Sequence, residues 1–170
     1  MLPNNQGGFR KVGIYNDKHR LFDDYEKELN SFREAGCEVS PSESNAKCEA
    51  YISSSECTWK NIFAPDTGEL VGFLIYGKTG AFKHPDAERS MAEAYVAPEY
   101  RGKGLMSDVV KDYETRHKCI YSMLVQDKNE YAKSYWTKLF DEIGYKAVEL
   151  DASKANTEGG LVLMGFGPKE

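Results

Sequence analysis

The segment Ala94-Tyr-Val-Ala-Pro-Glu-Tyr-Arg-Gly-Lys-Gly-Leu-Met-Ser107 joins a strand, a short basic loop and the start of a helix. Pro98 cannot donate to a strand ladder, so the strand must stop there. The helix start presents unpaired N–H groups and a partial positive charge, and the glycines let a ligand approach the backbone closely. Arg101 and Lys103 add full positive charge. The segment therefore predicts a cradle for a phosphate or pyrophosphate group, with an ordinary strand–helix turn as the alternative.

Two common nucleotide-binding motifs do not fit this loop. A Walker A loop requires the spacing G-x-x-x-x-G-K-[ST], which is absent here. A dinucleotide-binding fingerprint requires G-x-G-x-x-G after a first strand. Here Gly102 and Gly104 are followed by Ser107 in the third place, behind a predicted hairpin. A nucleotide-binding module is therefore supported only by an incomplete glycine pattern.

Hydrophobic periodicity and turn residues predict the elements around the loop. The predicted helices are Asp17–Ala35, capped by Asn16 and Gly36, then Gly104–His117, and a third from about Asp127 to Ile143. The predicted strands are Trp59–Ala64, Leu70–Tyr76, Met91–Ala97, Cys119–Val125, Tyr145–Leu150 and Gly160–Phe166, the first two forming a hairpin. The Ser- and Glu-rich stretch Glu38–Glu56 is predicted to be a loop with a short helix. This order predicts an α+β fold, a mixed sheet with helices on its faces.

The composition favours a single domain covering residues 1–170. Hydrophobic residues make up 41% and charged residues 29% of the chain, as in ordinary globular proteins, and no apolar run approaches the ~20 residues of a membrane helix. The polar stretch Met1–Lys11 lacks the apolar core of a secretory signal, so we expect a cytoplasmic protein. The net charge of −5 argues against general nucleic-acid binding, which needs a basic patch, and is compatible with a cationic substrate.

The cysteine and histidine residues show no metal-site spacing and no obvious catalytic triad. They are Cys37, Cys48, Cys57, Cys119, His19, His84 and His117. We expect reduced thiols, some of them buried as small hydrophobic residues, and no metal.

The segment Val96-x-Pro-Glu-Tyr-Arg-Gly-Lys-Gly104 resembles motif A of the GNAT acetyltransferases, whose signature is Q/R-x-x-G-x-G/A. Arg101 and Gly104 match the signature, and Met106 stands where the final Gly or Ala is usual. The resemblance extends over roughly residues 59–145. It implies the acyl-CoA N-acyltransferase (GNAT) fold, a central mixed sheet flanked by helices, and acetyl-CoA as the cofactor.

The resemblance also implies which residues bind acetyl-CoA. The pyrophosphate would lie on the N–H groups of the loop and helix start, and the pantetheine arm would lie along the preceding strand like an added strand. An asparagine that opens the later helix often touches the cofactor in this family. The cofactor-binding residues implied in this way are Tyr95, Val96, Arg101, Gly102, Lys103, Gly104, Leu105, Met106, Ser107 and Asn129.

Acetyl transfer to an amine requires a base, because an alkyl amine with a pKa of ~10.4 is neutral in only about one molecule per thousand at pH 7. Family members often use a Glu on the strand before motif A, which makes Glu93 the candidate and Glu88 the alternate. Strand alternation places Glu93 on the face opposite Ala94 and Val96. A strand bulge would decide whether the Glu93 carboxylate reaches the cleft.

A general acid is harder to assign. Many family members carry a Tyr in a pattern like N-x-x-A-x-x-L-Y-x-K-x-G-F. Counting from Asn129 places Trp136 at that Tyr, and counting back from Gly144 places Phe140 there. Neither side chain has a hydroxyl, so Tyr135, one position aside, is the candidate acid and Tyr131 a poorer one. If these aromatic residues form core packing instead, catalysis would rest on positioning, thiolate stabilisation and water.

The sequence therefore predicts an N-acetyltransferase that acts on a primary amine of a small molecule or a peptide. The alternative is a non-catalytic module of the same fold that binds acyl-CoA or a partner. In this family the first helix and the loop after it line the acceptor side, and here they carry Asp23, Asp24 and Glu28. We therefore expect a cationic amine as acceptor, no nucleic-acid or membrane partner, and a monomer or homodimer.

Overall fold

The computed structural model describes the backbone of residues 3–170 and the side chains of residues 13–170. The helices are α1 (Pro3–Asn30), α2 (Pro41–Ser53), α3 (Leu105–Arg116) and α4 (Glu130–Glu142). The strands are β1 (Cys57–Phe63), β2 (Leu70–Gly77), β3 (Arg89–Val96), β4 (Tyr121–Gln126), β5 (Tyr145–Ala147) and β6 (Leu161–Pro168). None of the described helices combines the length and apolar character that crossing a membrane requires. The expectation drawn from Met1–Lys11 concerns side chains outside the described residues.

The six strands form one mixed sheet in the order β1-β2-β3-β4-β6-β5. Of the described strands, only β3 and β4 are parallel, and every other neighbouring pair is antiparallel. The connection between the two parallel strands contains α3, as a parallel crossover requires. The predicted mixed sheet flanked by helices is confirmed.

Each face of the sheet has its own hydrophobic core. On one face, α3 and α4 bury Val110 and Phe140, and Phe140 stacks on Phe166 of β6 with ring centroids 4.0 Å apart. On the other face, α1 and α2 cover β1–β3, and Phe22 of α1 stacks on Phe73 of β2 at 5.7 Å. Burying a Phe side chain fully stabilises a fold by about 1.5–3 kcal/mol. These aromatic pairs therefore hold the helices to the sheet.

The first helix is longer at its start and shorter at its end than the sequence predicted. The expectation that Asn16 caps it is wrong, because residues 3–16 already belong to α1. The helix ends at Asn30, not at Ala35. The Asn30 side chain donates to the Val39 carbonyl and accepts from the Val39 N–H, both at 3.1 Å. These two bonds fold the connection back toward α2.

The stretch predicted as a loop with a short helix contains the regular helix α2. Ser40 and Glu43 form a complete capping box: the Ser40 hydroxyl accepts from the Glu43 N–H and the Glu43 carboxylate accepts from the Ser40 N–H. Pro41 occupies the first helical turn, where its missing N–H is no loss. These local signals, more than hydrophobic periodicity, define where α2 begins.

The strand predicted at Tyr145–Leu150 ends at Ala147, and a loop with one short 3₁₀ turn continues to Gly160. The predicted hairpin is confirmed, with Ile62 opposite Gly72 and Trp59 opposite Ile75. The last predicted strand is present as β6.

The parallel strands β3 and β4 pair over only their first residues. Their paired residues are Arg89–Met91 and Tyr121–Met123. Beyond these pairs, residues 92–96 of β3 have no partner on that side among the strands that the structure describes. The sheet therefore opens a gap at the end of β3 that leads into the Arg101 loop.

Candidate active site

The loop after β3 adopts a conformation that requires its glycines. Gly102 has φ 77° and Gly104, the N-cap of α3, has φ 78°. Only glycine adopts such left-handed angles without strain. Within the described part of the chain, no heavy atom beyond the neighbouring residues lies within 4 Å of the position where a Cβ would stand at either glycine. The space in front of both glycines is therefore open for a ligand.

The N–H groups of residues 102–107 have no acceptor among the described residues, and the first bond of α3 runs from the Asp108 N–H to the Gly104 carbonyl at 3.0 Å. A helix start leaves such donors unpaired and concentrates a partial positive charge there. Lys103 adds a nearby ammonium group, which lies 5.3 Å from the centre of the Tyr100 ring. This arrangement can bind an anion.

The edge of β3 that faces the gap is formed by Ala94 and Val96. The Ala97 N–H donates to the Val71 carbonyl of β2 at 2.8 Å, and alternation then directs the backbone groups of Tyr95 toward β2 as well. The N–H and carbonyl groups of Ala94 and Val96 consequently point into the gap. Tyr95 contributes its side chain to the α1 face of the sheet.

The Arg101 side chain points away from the cradle, toward α1. Its Nε donates to the Val96 carbonyl at 2.8 Å, and its two terminal nitrogens donate to the two carboxylate oxygens of Glu28, also at 2.8 Å. The guanidinium lies 5.5 Å from the centre of the Tyr95 ring. The hydrogen bonds to Glu28 raise the pKa of Arg101 further above its usual range. The sequence predicts a positive charge at the cradle here, and nothing in it indicates the ion pair with Glu28.

The start of α3 places Met106 and Ser107 on different sides. Met106 is buried in the core between α3 and the sheet, packed beside the partly buried Leu105. Its side chain therefore leaves the loop free although a Gly or Ala is usual at this position. The Ser107 hydroxyl lies 3.0 Å from the Tyr135 hydroxyl of α4.

The aromatic residues of α4 divide into core and surface groups. Trp136 and Phe140 are buried in the core. Tyr135 is partly buried, and its ring stacks near that of Tyr131 with centroids 6.2 Å apart. Tyr131 is 75% exposed. Asn129 caps α4 by accepting from the Ala132 N–H at 3.0 Å, which places its side chain at the helix start.

Glu93 is buried under α1 and α2, where it is held by three side chains. Oε2 accepts a short hydrogen bond from the Tyr25 hydroxyl, and Oε1 accepts from the Tyr51 hydroxyl at 3.0 Å. The Lys47 ammonium lies 2.8 Å from Oε1. Burial, followed by the Glu93 charge, raises the pKa of both tyrosines well above the usual range, so both hydroxyls stay protonated donors.

A bulge in β3 sets the side on which Glu93 lies. Glu93 pairs with Ile75 and Met91 pairs with Tyr76, so Ala92 is an extra residue on β3. Met91 packs in the α3–α4 core, whereas Glu93 faces α1 and α2. Glu88 lies at the opposite end of β3, where its carboxylate accepts from the Ile120 N–H at 2.8 Å.

Lys47 joins Glu93 to a second buried carboxylate, Glu26. The Lys47 ammonium is 3.4 Å from Glu26, which also pairs with Arg33 at 2.9 Å. Burial alone would lower the pKa of Lys47, but the two carboxylates outweigh it and the pKa is raised. Little in the sequence indicates this network, because Lys47 falls in a stretch without clear periodicity.

The predicted acidic residues of the acceptor side lie on α1 in different settings. Asp23 pairs with Lys27 at 2.9 Å on the surface, Asp24 is exposed, and Glu28 is paired with Arg101.

Gln126, at the end of β4, joins two loops. With its amide oriented by its neighbours, its nitrogen donates to the carbonyls of Phe32 and Gly159. The loops after α1 and before β6 therefore meet at the end of β4.

Comparison with known proteins identifies the family. The profile of the Acetyltransferase (GNAT) family matches residues 20–141. The chain belongs to this family. The match includes α2, the sheet as far as β4, the glycine loop and most of α4. A search of curated protein sequences finds no match to the chain.

Solved GNAT structures share the fold at low sequence identity. GCN5 of Tetrahymena is 12% identical with a TM-score of 0.58, covering 95% of this chain and 91% of its own. An acetyltransferase from Thermus thermophilus is 13% identical with a TM-score of 0.58, over 89% and 90% of the chains. The spermidine N-acetyltransferase of Vibrio cholerae, solved with CoA and spermine, is 14% identical with a TM-score of 0.56, over 91% and 88%. These likenesses establish the GNAT fold.

Proposed function

We propose that this GNAT protein, acting as one domain in the cytoplasm, transfers the acetyl group of acetyl-CoA to a primary amine of a small molecule or peptide. The observation that carries the proposal is the row of unpaired N–H groups at residues 102–107 beside the unpaired edge of β3, both within the described chain. Family membership supports acetyl transfer as the reaction class.

The residues present fit the pyrophosphate and pantetheine parts of CoA. Open space in front of Gly102 and Gly104 allows a phosphate to approach the backbone, and the dipole of α3 favours negative charge at that point. The edge groups of Ala94 and the N–H of Val96 can pair with an amide-bearing chain as they would with a strand, whereas the Val96 carbonyl already accepts from Arg101. Asn129 and Ser107 lie at the starts of the two helices that flank the gap.

Acetyl-CoA supplies the acetyl group as a thioester with a thiolate leaving group. In our proposal Glu93 is the base, and it acts through a hydroxyl because both of its oxygens are already occupied. A proton would pass from the amine to the Tyr25 or Tyr51 oxygen while that hydroxyl passes its own proton to Glu93. Tyr135, the partly buried hydroxyl of α4, would protonate the departing sulfur.

The acceptor is proposed to be a cationic amine that approaches along α1. Asp24 is exposed there, and Asp23 shares its charge only with the exposed Lys27 among the residues described. An acetyltransferase of the same fold has been solved with CoA and spermine, which supports including polyamines among the acceptors to be tested. Glu28 contributes less to this attraction, because Arg101 neutralises its charge.

The binding half of the proposal is tested by the stability of the protein with and without CoA. CoA at about 100 times its Kd should stabilise the native state by about 2.7 kcal/mol, which raises the melting temperature by roughly 5–10 °C. G104A should abolish most of this rise, because a Cβ at φ 78° strains the loop and points into the open space.

G68A is the matched control for G104A. Gly68 also has a positive φ, 71°, with open space around it, but it lies in the turn between β1 and β2. Both variants should lose about 1–2 kcal/mol of stability from backbone strain, whereas only G104A should lose the response to CoA. An equal response in the two variants, or none in the wild type, would contradict the proposed cofactor site.

The turnover half is tested by thiol release from acetyl-CoA with a panel of amines that includes polyamines, amino-acid esters and lysine peptides. We expect release above the amine-free rate with at least one cationic amine. CoA binding with a flat response across the panel would identify a non-catalytic CoA-binding module instead.

A further inference from the structure

Arg101 differs from the other loop residues because every nitrogen of its guanidinium group is already bound within the protein. Nε bonds the Val96 carbonyl, and the terminal nitrogens form a two-pronged pair with Glu28. The fork geometry of arginine suits such a pair, and lysine cannot reproduce it. The Glu28 carboxylate therefore already balances the charge of this guanidinium, and the Val96 carbonyl fixes its orientation.

The two ends of this contact lie on different parts of the site. Val96 is the last residue of β3, and its carbonyl faces the gap, next to the loop with the unpaired N–H groups. Glu28 lies near the end of α1, on the proposed acceptor side. The Arg101 guanidinium also lies over the ring of Tyr95, which packs against Tyr25 of α1 with centroids 5.6 Å apart.

We propose that Arg101 is a positioning residue, a strut between Glu28 of α1 and the Val96 carbonyl, and that Glu28 thereby governs CoA affinity without touching CoA. This inference rests on the proposed CoA site and names a further residue of it. Without the strut, the loop could adopt more conformations. Ordering it again on binding would reduce affinity.

The strut and a direct phosphate contact predict opposite results for Glu28. If Arg101 were a phosphate ligand, removal of the Glu28 charge would release the guanidinium and leave CoA binding equal or tighter. If Arg101 is a strut, removal of either partner weakens CoA binding, and removal of both weakens it no further, because they form one interaction.

The test is a double-mutant cycle in CoA affinity, measured by calorimetry with CoA alone on the folded protein. We expect E28Q and R101M each to raise the Kd about fivefold, and the double variant to raise it by about the same factor. R101K should behave like R101M, because a single ammonium cannot bridge the same three acceptors. E99Q is the control: Glu99 is an exposed carboxylate on the same loop, so this variant should keep the wild-type Kd.

Salt dependence supplies a second readout that loss of stability would not change. A lost phosphate contact reduces the slope of log Kd against log salt concentration, whereas a lost strut shifts Kd and leaves the slope unchanged. A wild-type or lower Kd for CoA in E28Q, or a reduced salt slope in R101M, would overturn the role of Arg101 as a strut but leave the proposed CoA site standing. No CoA binding by the wild type would overturn the proposed function together with this inference.

Discussion

At the scale of single residues, the proposed mechanism depends on Tyr135 as the general acid. Its hydroxyl lies on Ser107 at the start of α3, while Trp136, which the family pattern places at the usual tyrosine, is buried in the core. Burial raises the pKa of Tyr135, so its proton is retained at neutral pH. Helix α4 thus places the Tyr135 hydroxyl next to the gap, one position before the residue at which the family pattern has its tyrosine.

We predict that Y135F lowers kcat by about a hundredfold, the lower end of what general acid catalysis contributes, with the KM for acetyl-CoA changed little. Y131F is the matched control, because it removes the hydroxyl of the exposed Tyr131, which lies one helical turn from Tyr135. A normal kcat in Y135F would remove Tyr135 from the mechanism, and a loss confined to Y131F would transfer the role to Tyr131.

Single residues also show the limit of prediction from sequence. The loop glycines could be assigned from spacing alone, because positive φ and a helix start are local properties. The surroundings of Glu93 could not, because the bulge at Ala92 and the approach of Tyr51 and Lys47 depend on packing between distant segments. The Glu28 partner of Arg101 was equally hidden, since 73 residues separate the two in sequence.

At the scale of elements, the buried charges join α1 and α2 to β3. Lys47 of α2 lies between Glu26 of α1 and Glu93 of β3. Both carboxylates are nearly inaccessible, whereas the Lys47 side chain is 36% exposed. Removal of a shared cation leaves buried charge uncompensated, which costs far more than the loss of a surface pair.

We predict that K47M lowers the free energy of unfolding by about 2 kcal/mol, less than for a fully buried pair because Lys47 is partly exposed. K27M removes a lysine that pairs with Asp23 on the surface of α1 and should leave stability within experimental error. K47R should recover most of the loss. Chemical denaturation of the three variants measures these differences, and equal stability of K47M and the wild type would contradict the bridging role.

Elements were predictable where the local code was strong. The β1–β2 hairpin, α3 and α4 follow from turn residues, glycines and periodic apolar positions. The start of α1 was missed because residues 3–16 contain polar residues and glycines, including Gly13, with little apolar period. The early end of β5 was missed because Val148 and Leu150 are apolar. The Val148 N–H still donates to the Gly165 carbonyl at 2.9 Å, but the Leu150 side chain then lies against Gly165.

At the scale of the whole molecule, one buried carboxyl links stability to pH. Glu114 of α3 is fully buried, and burial raises its pKa to about 8 despite a hydrogen bond from Tyr76. Its second oxygen has no partner in the part of the chain that the structure describes. The folded protein therefore holds this proton between pH 4.5 and about 8, where the unfolded chain has released it.

We predict that Glu114 reduces stability as pH rises across this window, at a rate of up to about 1.4 kcal/mol per pH unit. The stability that the protonated Glu114 carboxyl contributes is fully present below the unfolded pKa of 4.5. It is lost as the pH rises through the folded pKa of about 8. E114Q should therefore become increasingly more stable than the wild type from pH 5 to pH 8. E142Q, at an exposed site on α4, should follow the wild type, and parallel curves for E114Q and wild type would refute the assignment.

The overall architecture was largely predictable, because the order of elements allows few arrangements of a mixed sheet. Only the family resemblance, which places the pantetheine arm along this strand, implied a free edge on β3. Its physical origin lies in pairing that stops at Met91 and Met123, which no local pattern reveals. The order in which β4, β6 and β5 lie side by side in the sheet likewise depends on pairing between distant parts of the chain.

The sheet separates the two tryptophans of the chain. Trp59 packs in the α1–α2 core beneath the Lys18 ammonium, 4.8 Å from its ring, and Trp136 is buried in the α3–α4 core. Because the fluorescence of an indole ring depends on its immediate surroundings, Trp59 reports on the α1–α2 core and Trp136 on the α3–α4 core. The variants W59F and W136F would each leave one tryptophan, so that fluorescence shows whether the α1–α2 core and the α3–α4 core melt together.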